Sequence, residues 1–417
     1  MHTLDGLGII NSEGDLWRKQ RRFLNEVLRD FGMTCVGNGK HKMEERVKKE
    51  VSSILEHLDQ SEGVPIDPNS SLAIAVSNVI CGITMSVHFE HGDPRFERLN
   101  YLIEEGMRLF GQLHYGEYLS FYNYLPGKAE AQKRIAKNRA ETFAFYQTII
   151  DEHYETFNPN EMRDLLDFYL VAMMKAQKEG KSRELFEGRD HELHLKQILG
   201  DLFSAGMETI KSSLLWTFVY MLRHPEVKRK VQEELDAVVG RNRQPSIDDL
   251  KSLPYTEAVI YETLRLSNIV PLGTTHSPTE DVEINGYIIP AGCQVIPLLN
   301  YVHMDENLWD NPEEFEPSRF IDETGRATRP EYFIPFGVGR RMCLGDSLAR
   351  TEMFLFFASI MHKFDLQSEV ENEPPTLESI VGATIAPKPF KVRFVPRSQD
   401  PLDTVTSEVP LRHVGSH

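Results

Sequence analysis

The sequence predicts a mainly α-helical fold with a small β-sheet. Three observations carry that expectation. Apolar residues recur at helical spacing, as with Met43, Val47, Val51, Ile54, Leu55 and Leu58 in His41 to Asp59. Leu193 to Arg223 reads as one long helix. Strand signals are few. Asn285-Gly286 between Val282-Glu283-Ile284 and Tyr287-Ile288-Ile289 is a hairpin signal, and Gln294 to Asn300 and Val392 to Val395 read as strands.

The remaining elements follow in order. Asp15 to Phe31 reads as a basic helix, with Arg18, Lys19, Arg21 and Arg22 against Leu24, Val27 and Leu28. Ser61–Asn69 holds Gly63, Pro65 and Pro68 and reads as a loop. Ser71 to Phe89 carries no acid, Lys or Arg. Its Ser, Asn, Thr and His residues make a buried core helix the better reading than a membrane span. Pro94 to Phe110 and Lys128 to Phe157 read as helices flanking a stretch rich in Gly, Tyr and Phe. Gly180 to His191 is charged and reads as exposed. Pro225 to Val239 is an amphipathic helix closed by Gly240, and Tyr255 to Leu266 is another.

A chain of 417 residues can hold one large core. Residues 1–396 read as that domain, and 397–417 as a polar, loose tail. A formal net charge of −17 argues against a nucleic-acid partner. Cys35, Cys81, Cys293 and Cys343 are widely spaced, which excludes a disulfide framework or zinc ribbon and suits a reducing compartment.

The stretch with the most chemistry is Phe336-Gly337-Val338-Gly339-Arg340-Arg341-Met342-Cys343-Leu344-Gly345, followed by a helical pattern from Leu344 to Met361. A thiol just ahead of a helix faces unpaired N–H groups and the positive end of the dipole. Both are expected to favour thiolate. Gly339 and Gly345 let a flat ligand approach the backbone. Within the long helix, Ala205-Gly206-Met207-Glu208-Thr209 places a costly glycine beside an acid and an alcohol. The missing Cβ of Gly206 offers room for a small ligand, and Thr209 can bond back to a carbonyl four residues earlier.

The F-x-x-G-x-R-x-C-x-G stretch resembles the haem-binding loop of the cytochrome P-450 superfamily, the haem-thiolate monooxygenases. The similarity runs from Gly8 to about Phe394 and is nearest the microsomal animal type. Phe31-Gly32-Met33-Thr34 and Val381-Gly382-Ala383-Thr384-Ile385 resemble the arthropod ecdysteroid 26-hydroxylases.

The resemblance implies a fold with haem between the long central helix and the cysteine-loop helix. The cofactor is then haem b, iron protoporphyrin IX, with Cys343 as the thiolate ligand. Phe336 and Gly345 belong to its loop, Ala205 and Gly206 to its distal side. Thr209 and Glu208 deliver protons at the dioxygen site. Trp17, Arg21, His276 and Arg341 are donors to the haem propionates. Glu262 and Arg265, at i and i+3, join Arg319 in a buried structural triad. Ile269, Val270, Leu272, Ala383, Thr384 and Ile385 line the substrate pocket, with Ile103, Phe110 and Leu202 as weaker candidates.

The implied reaction uses dioxygen and electrons from an NADPH-cytochrome reductase, with Arg18, Lys19 and Arg22 as the docking patch. The implied substrate is lipophilic, an ecdysteroid oxidised on its side chain. The implied location is the cytosolic face of the endoplasmic reticulum membrane. In that family an anchor, a hinge and two helices precede the point at which this chain opens. A shortened product that binds haem or ligand without turnover is therefore the rival reading. A haem-thiolate isomerase or peroxide-driven enzyme is a third, and the Glu208-Thr209 pair speaks against it.

Overall fold

The structure is a computed structural model and describes residues 6–32, 38–113, 127–181 and 187–397. The helices are α1 (Gly14–Asp30), α2 (Asn38–Asp59), α3 (Pro68–Thr84), α4 (Pro94–Leu113), α5 (Lys128–Thr156) and α6 (Leu165–Lys178). After them come α7 (His191–Arg223), α8 (Pro225–Val239), α9 (Pro254–Ser267), α10 (Leu299–His303) and α11 (Asp346–Lys363). The tail expected over 397–417 lies outside the described residues apart from Arg397, as do Met33 and Thr34.

Helix α7 organises the packing. Its 33 residues span about 50 Å at 1.5 Å per residue. The Asp190 side chain accepts from the Leu193 N–H and caps its start. Helices α3, α5, α8, α9 and α11 all pack on it. Helix α3 lies in the middle of the core, buried from Ser71 to Cys81 and again at Ile83 and Thr84. It begins with an Asp67 cap and Pro68 in the first turn.

The expected helix to Phe89 stops at Thr84. Ser86 turns the chain with φ 51°. Asn78 then clamps Phe89, accepting from its N–H at 2.8 Å and donating to its carbonyl at 2.9 Å. No described helix is long and apolar enough to cross a membrane.

Three antiparallel strand pairs lie at the edge of this helical body. β1 (Val282–Ile284) pairs with β2 (Tyr287–Ile289). The hairpin turn is as expected, with Asn285 at φ 52° and Gly286 at φ 83°. β3 (Phe364–Ser368) pairs with β6 (Val392–Pro396), and β4 (Ser379–Val381) with β5 (Ile385–Pro387).

The strand expected over Gln294 to Asn300 does not form. Only Val295 pairs, with His276. Pro297 has no N–H to give a ladder, and α10 takes over at Leu299. Helix α6 and strands β3, β4 and β5 were not anticipated. Among the described residues Cys81, Cys293 and Cys343 are free thiols.

The Glu262–Arg265–Arg319 cluster locks α9 to the segment leading into the cysteine loop. Arg265 grips the Glu262 carboxylate with Nε and Nη2 at 2.7 and 2.8 Å. Arg319 Nε adds a bond at 3.1 Å, and the Glu316 N–H one at 2.9 Å. The Arg265 Nη1 donates to the carbonyls of His303 and Pro312, both at 2.8 Å. Glu262 and Arg265 are fully buried. Removing the acid strands two guanidinium groups in the core. Glu262→Ala is expected to lower the unfolding free energy by about 3–5 kcal/mol, read from urea midpoints; a loss below about 1 kcal/mol contradicts the triad's structural role.

Candidate active site

Cys343 is held by its loop before any helix begins. Its N–H donates to the Phe336 carbonyl at 2.9 Å, which closes the loop. Gly337 and Gly339 take φ values of 70° and 75°, where a side chain would be strained. The Arg350 guanidinium lies 4.6 Å from the Phe336 ring centroid and bonds Asp346 at 2.6 Å, so α11 grips the loop. Cys343 is an exposed residue.

The expected ready-made thiolate is corrected by this setting. Burial among surrounding protein pushes the Cys343 thiol pKa up, and the Asp346 charge adds to that. The Gly345 N–H, Arg21 and Arg350 pull the other way without winning. The helix start alone does not ionise the sulfur.

Helix α7 is buried around most of its girth but opens on one stripe. Leu202, Ala205, Gly206 and Thr209, spaced i, i+3, i+4 and i+7, are exposed or half-buried. Ala205 is exposed in the middle of this otherwise core helix. Thr209 Oγ1 donates back to the Ala205 carbonyl at 2.6 Å. Ser213 and Thr217 repeat that bond one and two turns on, each at 2.8 Å. Such back-bonds bend a helix. The room expected at Gly206 is not open to a ligand. A Cβ there would lie 3.1 Å from Ile80 Cγ1, so this glycine serves close packing of α3 on α7. Ala205 is the open position.

Trp17, Arg21 and Arg341 come together beside the cysteine loop. The Arg341 guanidinium stacks 3.9 Å from the Trp17 ring centroid and donates to the Ser12 carbonyl at 2.8 Å. Arg21 donates to the Met342 carbonyl at 2.7 Å and lies 5.7 Å from the same ring. His276 is exposed and its Nδ1 faces the Thr274 carbonyl at 2.7 Å. Among the described residues no contact joins it to the other three.

The two segments expected to wall a substrate pocket are stitched to one another. The Ile385 N–H donates to the Ile269 carbonyl at 2.8 Å, and Trp216 Nε1 to the Ile385 carbonyl at 3.0 Å. The Ala383 N–H donates to Met107 of α4 at 3.2 Å. Ile269, Val270 and Ala383 are half-buried, Leu272 is exposed and Thr384 is buried. Val381, 70% exposed, and Val338 of the cysteine loop, 64% exposed, leave large apolar surfaces facing open space. Ile103 is buried in the core and the Phe110 side chain lies outside the described residues.

Glu208 faces away from the open stripe, into a polar knot. Lys211 Nζ lies 2.8 Å from its Oε2 and 2.8 Å from Glu104 Oε1 on α4. Thr384 and Ser212 hydroxyls donate to its Oε1 at 3.3 and 3.2 Å. Burial opposes the Lys211 charge, but the two carboxylates outweigh it and raise its pKa. Sequence reasoning missed Lys211 and Glu104. The available signal was a lysine one turn from Glu208 in an otherwise apolar helix.

A second cluster, His153, Asp164 and Asp167, has metal-like spacing. Its donors are already engaged. Arg163 grips Asp167 with Nε and Nη2 at 2.7 and 2.8 Å. His153 bridges the Ile149 carbonyl and Asp164, both at 2.8 Å. Burial opposes the His153 charge, and Asp164 overcomes it and raises the pKa. This cluster ties α5 to α6.

A soft thiol on an open surface, guanidinium and indole donors beside it, and an apolar helix stripe fit a flat cofactor with an iron centre and carboxylate arms. The chain belongs to the cytochrome P450 family, whose family model matches residues 2–394. It is 56% identical over 417 residues to Cytochrome P450 18a1 of Drosophila melanogaster, covering all of this chain and 77% of that relative. Cytochrome P450 2J5 of Mus musculus is 36% identical over 394 residues, with 94% of this chain and 75% of the relative covered. Cytochrome P450 2J2 of Homo sapiens is 37% identical over 400 residues, with 95% and 76% covered. Members of this family are monooxygenases with cysteine-ligated haem, a redox partner, a small-molecule substrate and dioxygen.

Two neighbouring substitutions on α7 separate cavity from core. Ala205→Phe is expected to keep the melting temperature within about 3 °C while haem content falls. Gly206→Val presses on Ile80 and is expected to cost about 1–3 kcal/mol. Thermal unfolding with haem titration reads both, and equal destabilisation by the two would contradict an open face at Ala205.

Proposed function

We propose that this monooxygenase hydroxylates the side chain of an ecdysteroid, with Cys343 as the haem ligand and an NADPH-cytochrome reductase as electron donor. The observation that carries the substrate class is the wall formed by Ile269–Leu272 and Ala383–Ile385. It is apolar and carries one polar anchor, Thr384, bonded to Glu208. Such a wall suits a flat, hydrophobic molecule with few polar groups. The Val381–Ile385 stretch resembles the arthropod ecdysteroid 26-hydroxylases, and 56% identity along the whole chain to the Drosophila relative supports a shared pocket.

Thiolate-ligated haem supplies dioxygen activation and C–H hydroxylation when bound. The chain's own residues supply the rest. Cys343 presents the ligand sulfur. Trp17, Arg21 and Arg341 offer donors for the propionates. Phe336 and Gly345 frame the loop, and Ala205 leaves the flat face clear. Glu208 and Thr209 hold and pass protons, with Thr209 Oγ1 on the open stripe. The apolar wall orients the steroid and excludes water. His276 is the fourth rim donor in this reading, and it is exposed and held by its bridge to Val295.

Arg18, Lys19 and Arg22 lie on the exposed face of α1, although Arg18 is paired with Asp15. A basic face of this kind suits an acidic reductase surface. An endoplasmic reticulum location, on the cytosolic face, fits that partner.

Reconstituted with reductase and NADPH, the chain is expected to insert one atom of labelled dioxygen into an ecdysteroid side chain, read by mass spectrometry. Turnover of other steroids but no ecdysteroid overturns the substrate assignment. Haem or ligand binding without oxygen incorporation instead favours a non-catalytic product. The pair Arg18→Glu and Arg22→Glu is expected to raise the apparent KM for reductase by about tenfold at low salt, and an unchanged value rejects the docking face.

A further inference from the structure

Lys211 is 3% exposed, and its ammonium bridges carboxylates from two different helices. Glu208 belongs to its own helix, one residue before Thr209. Glu104 belongs to α4, which is also tied to the pocket wall where Met107 accepts from the Ala383 N–H at 3.2 Å. Glu104 and Met107 are i and i+3, so one face of α4 makes both ties. Asn69 at the start of α3 steadies Glu104 with a bond at 3.4 Å. The same knot reaches the pocket wall again through Thr384, which donates to Glu208 Oε1 at 3.3 Å.

We propose that Lys211 is a positioning residue that clasps Glu208 and Glu104 together, so that the acid beside Thr209 is set in place only when α4 is seated against α7. The inference rests on the reading of Glu208 as a proton donor and deepens it. The Glu208 carboxylate is buried and Glu104 is 38% exposed, so the buried acid depends most on the shared ammonium, and its charge is tolerable only while the cation stays. Without it, Glu208 loses the one close cation it has among the described residues and is free to turn. The Ala383–Ile385 segment is thus tied to α4 at Met107 and to Glu208 at Thr384.

The consequence falls on the fate of dioxygen. In the productive reaction, substrate, dioxygen, NADPH and a proton give hydroxylated substrate, water and NADP+. In the unproductive one, dioxygen, NADPH and a proton give hydrogen peroxide and NADP+. Both use two electrons, and they differ in where the protons go. A misplaced Glu208 shifts the partition toward peroxide without altering how substrate binds.

The test is made on the haem-loaded, reductase-reconstituted enzyme with any steroid that the wild type turns over. Product and peroxide are each measured per NADPH consumed. For Lys211→Met, product per NADPH is expected to fall by about tenfold, with KM within about twofold and the reduced carbon monoxide spectrum unchanged. Lys211→Arg is expected to regain most of the coupling. Wild-type coupling in Lys211→Met overturns the proposal, as does a loss that Lys211→Arg does not repair. If Lys211→Met fails to fold, Glu104→Gln keeps the ammonium and removes one partner, and is expected to raise the peroxide fraction about twofold to threefold. An unchanged fraction in Glu104→Gln overturns the clasp. Glu208→Gln separates the two levels. Loss of coupling there with wild-type coupling in Lys211→Met sinks the clasp alone, whereas full coupling in Glu208→Gln sinks the proton-donor reading and the clasp with it.

Discussion

Protein packed around the Cys343 thiol disfavours its charged form, and the Asp346 carboxylate adds to that penalty. The Gly345 N–H, Arg21 and Arg350 offset part of it. The thiol pKa is therefore raised rather than lowered by the fold, and a thiolate ligand to iron would have to give up that proton. The loop prepares position rather than charge. Its glycines set the backbone, the Phe336 carbonyl holds the Cys343 N–H, and Arg350 pins the loop to α11.

A packed core must also be kept open in one place. Most proteins fill their interiors to crystal-like density, yet α7 leaves Leu202, Ala205 and Thr209 exposed or half-buried along one stripe. Rigid surroundings keep the stripe from collapsing. Ile80 of α3 presses against Gly206 from one side. The Glu262–Arg265–Arg319 cluster fixes the route into the cysteine loop. The bonds from Ile385 to Ile269 and from Ala383 to Met107 fix the pocket walls. Stability and site are built from the same contacts.

Much of this was legible in the sequence. Apolar periodicity with Pro225 and Gly240 as punctuation located α8 to the residue, because local signals there agree with packing. The Asn285-Gly286 hairpin was legible for the same reason. Gln294 to Asn300 misled because its short continuous apolar run resembles a buried strand, while Pro297 removes the N–H that a ladder needs. Ser71 to Phe89 was overextended because the stop is made by Asn78 reaching across to Phe89, which no local pattern displays. The cysteine loop was visible as a motif, but the sign of its electrostatics was not. Desolvation depends on what the fold brings near. The Lys211 clasp was invisible for a related reason, since Glu104 lies 107 residues away in the chain.

The account stands on one bond, from the Cys343 sulfur to iron. The reduced carbon monoxide spectrum of haem-loaded wild type and Cys343→Ala, at matched haem content and fold, tests it most directly. The account predicts a thiolate-type band in the wild type and its complete loss in the variant, together with loss of turnover. A thiolate-type band that survives in Cys343→Ala would contradict it.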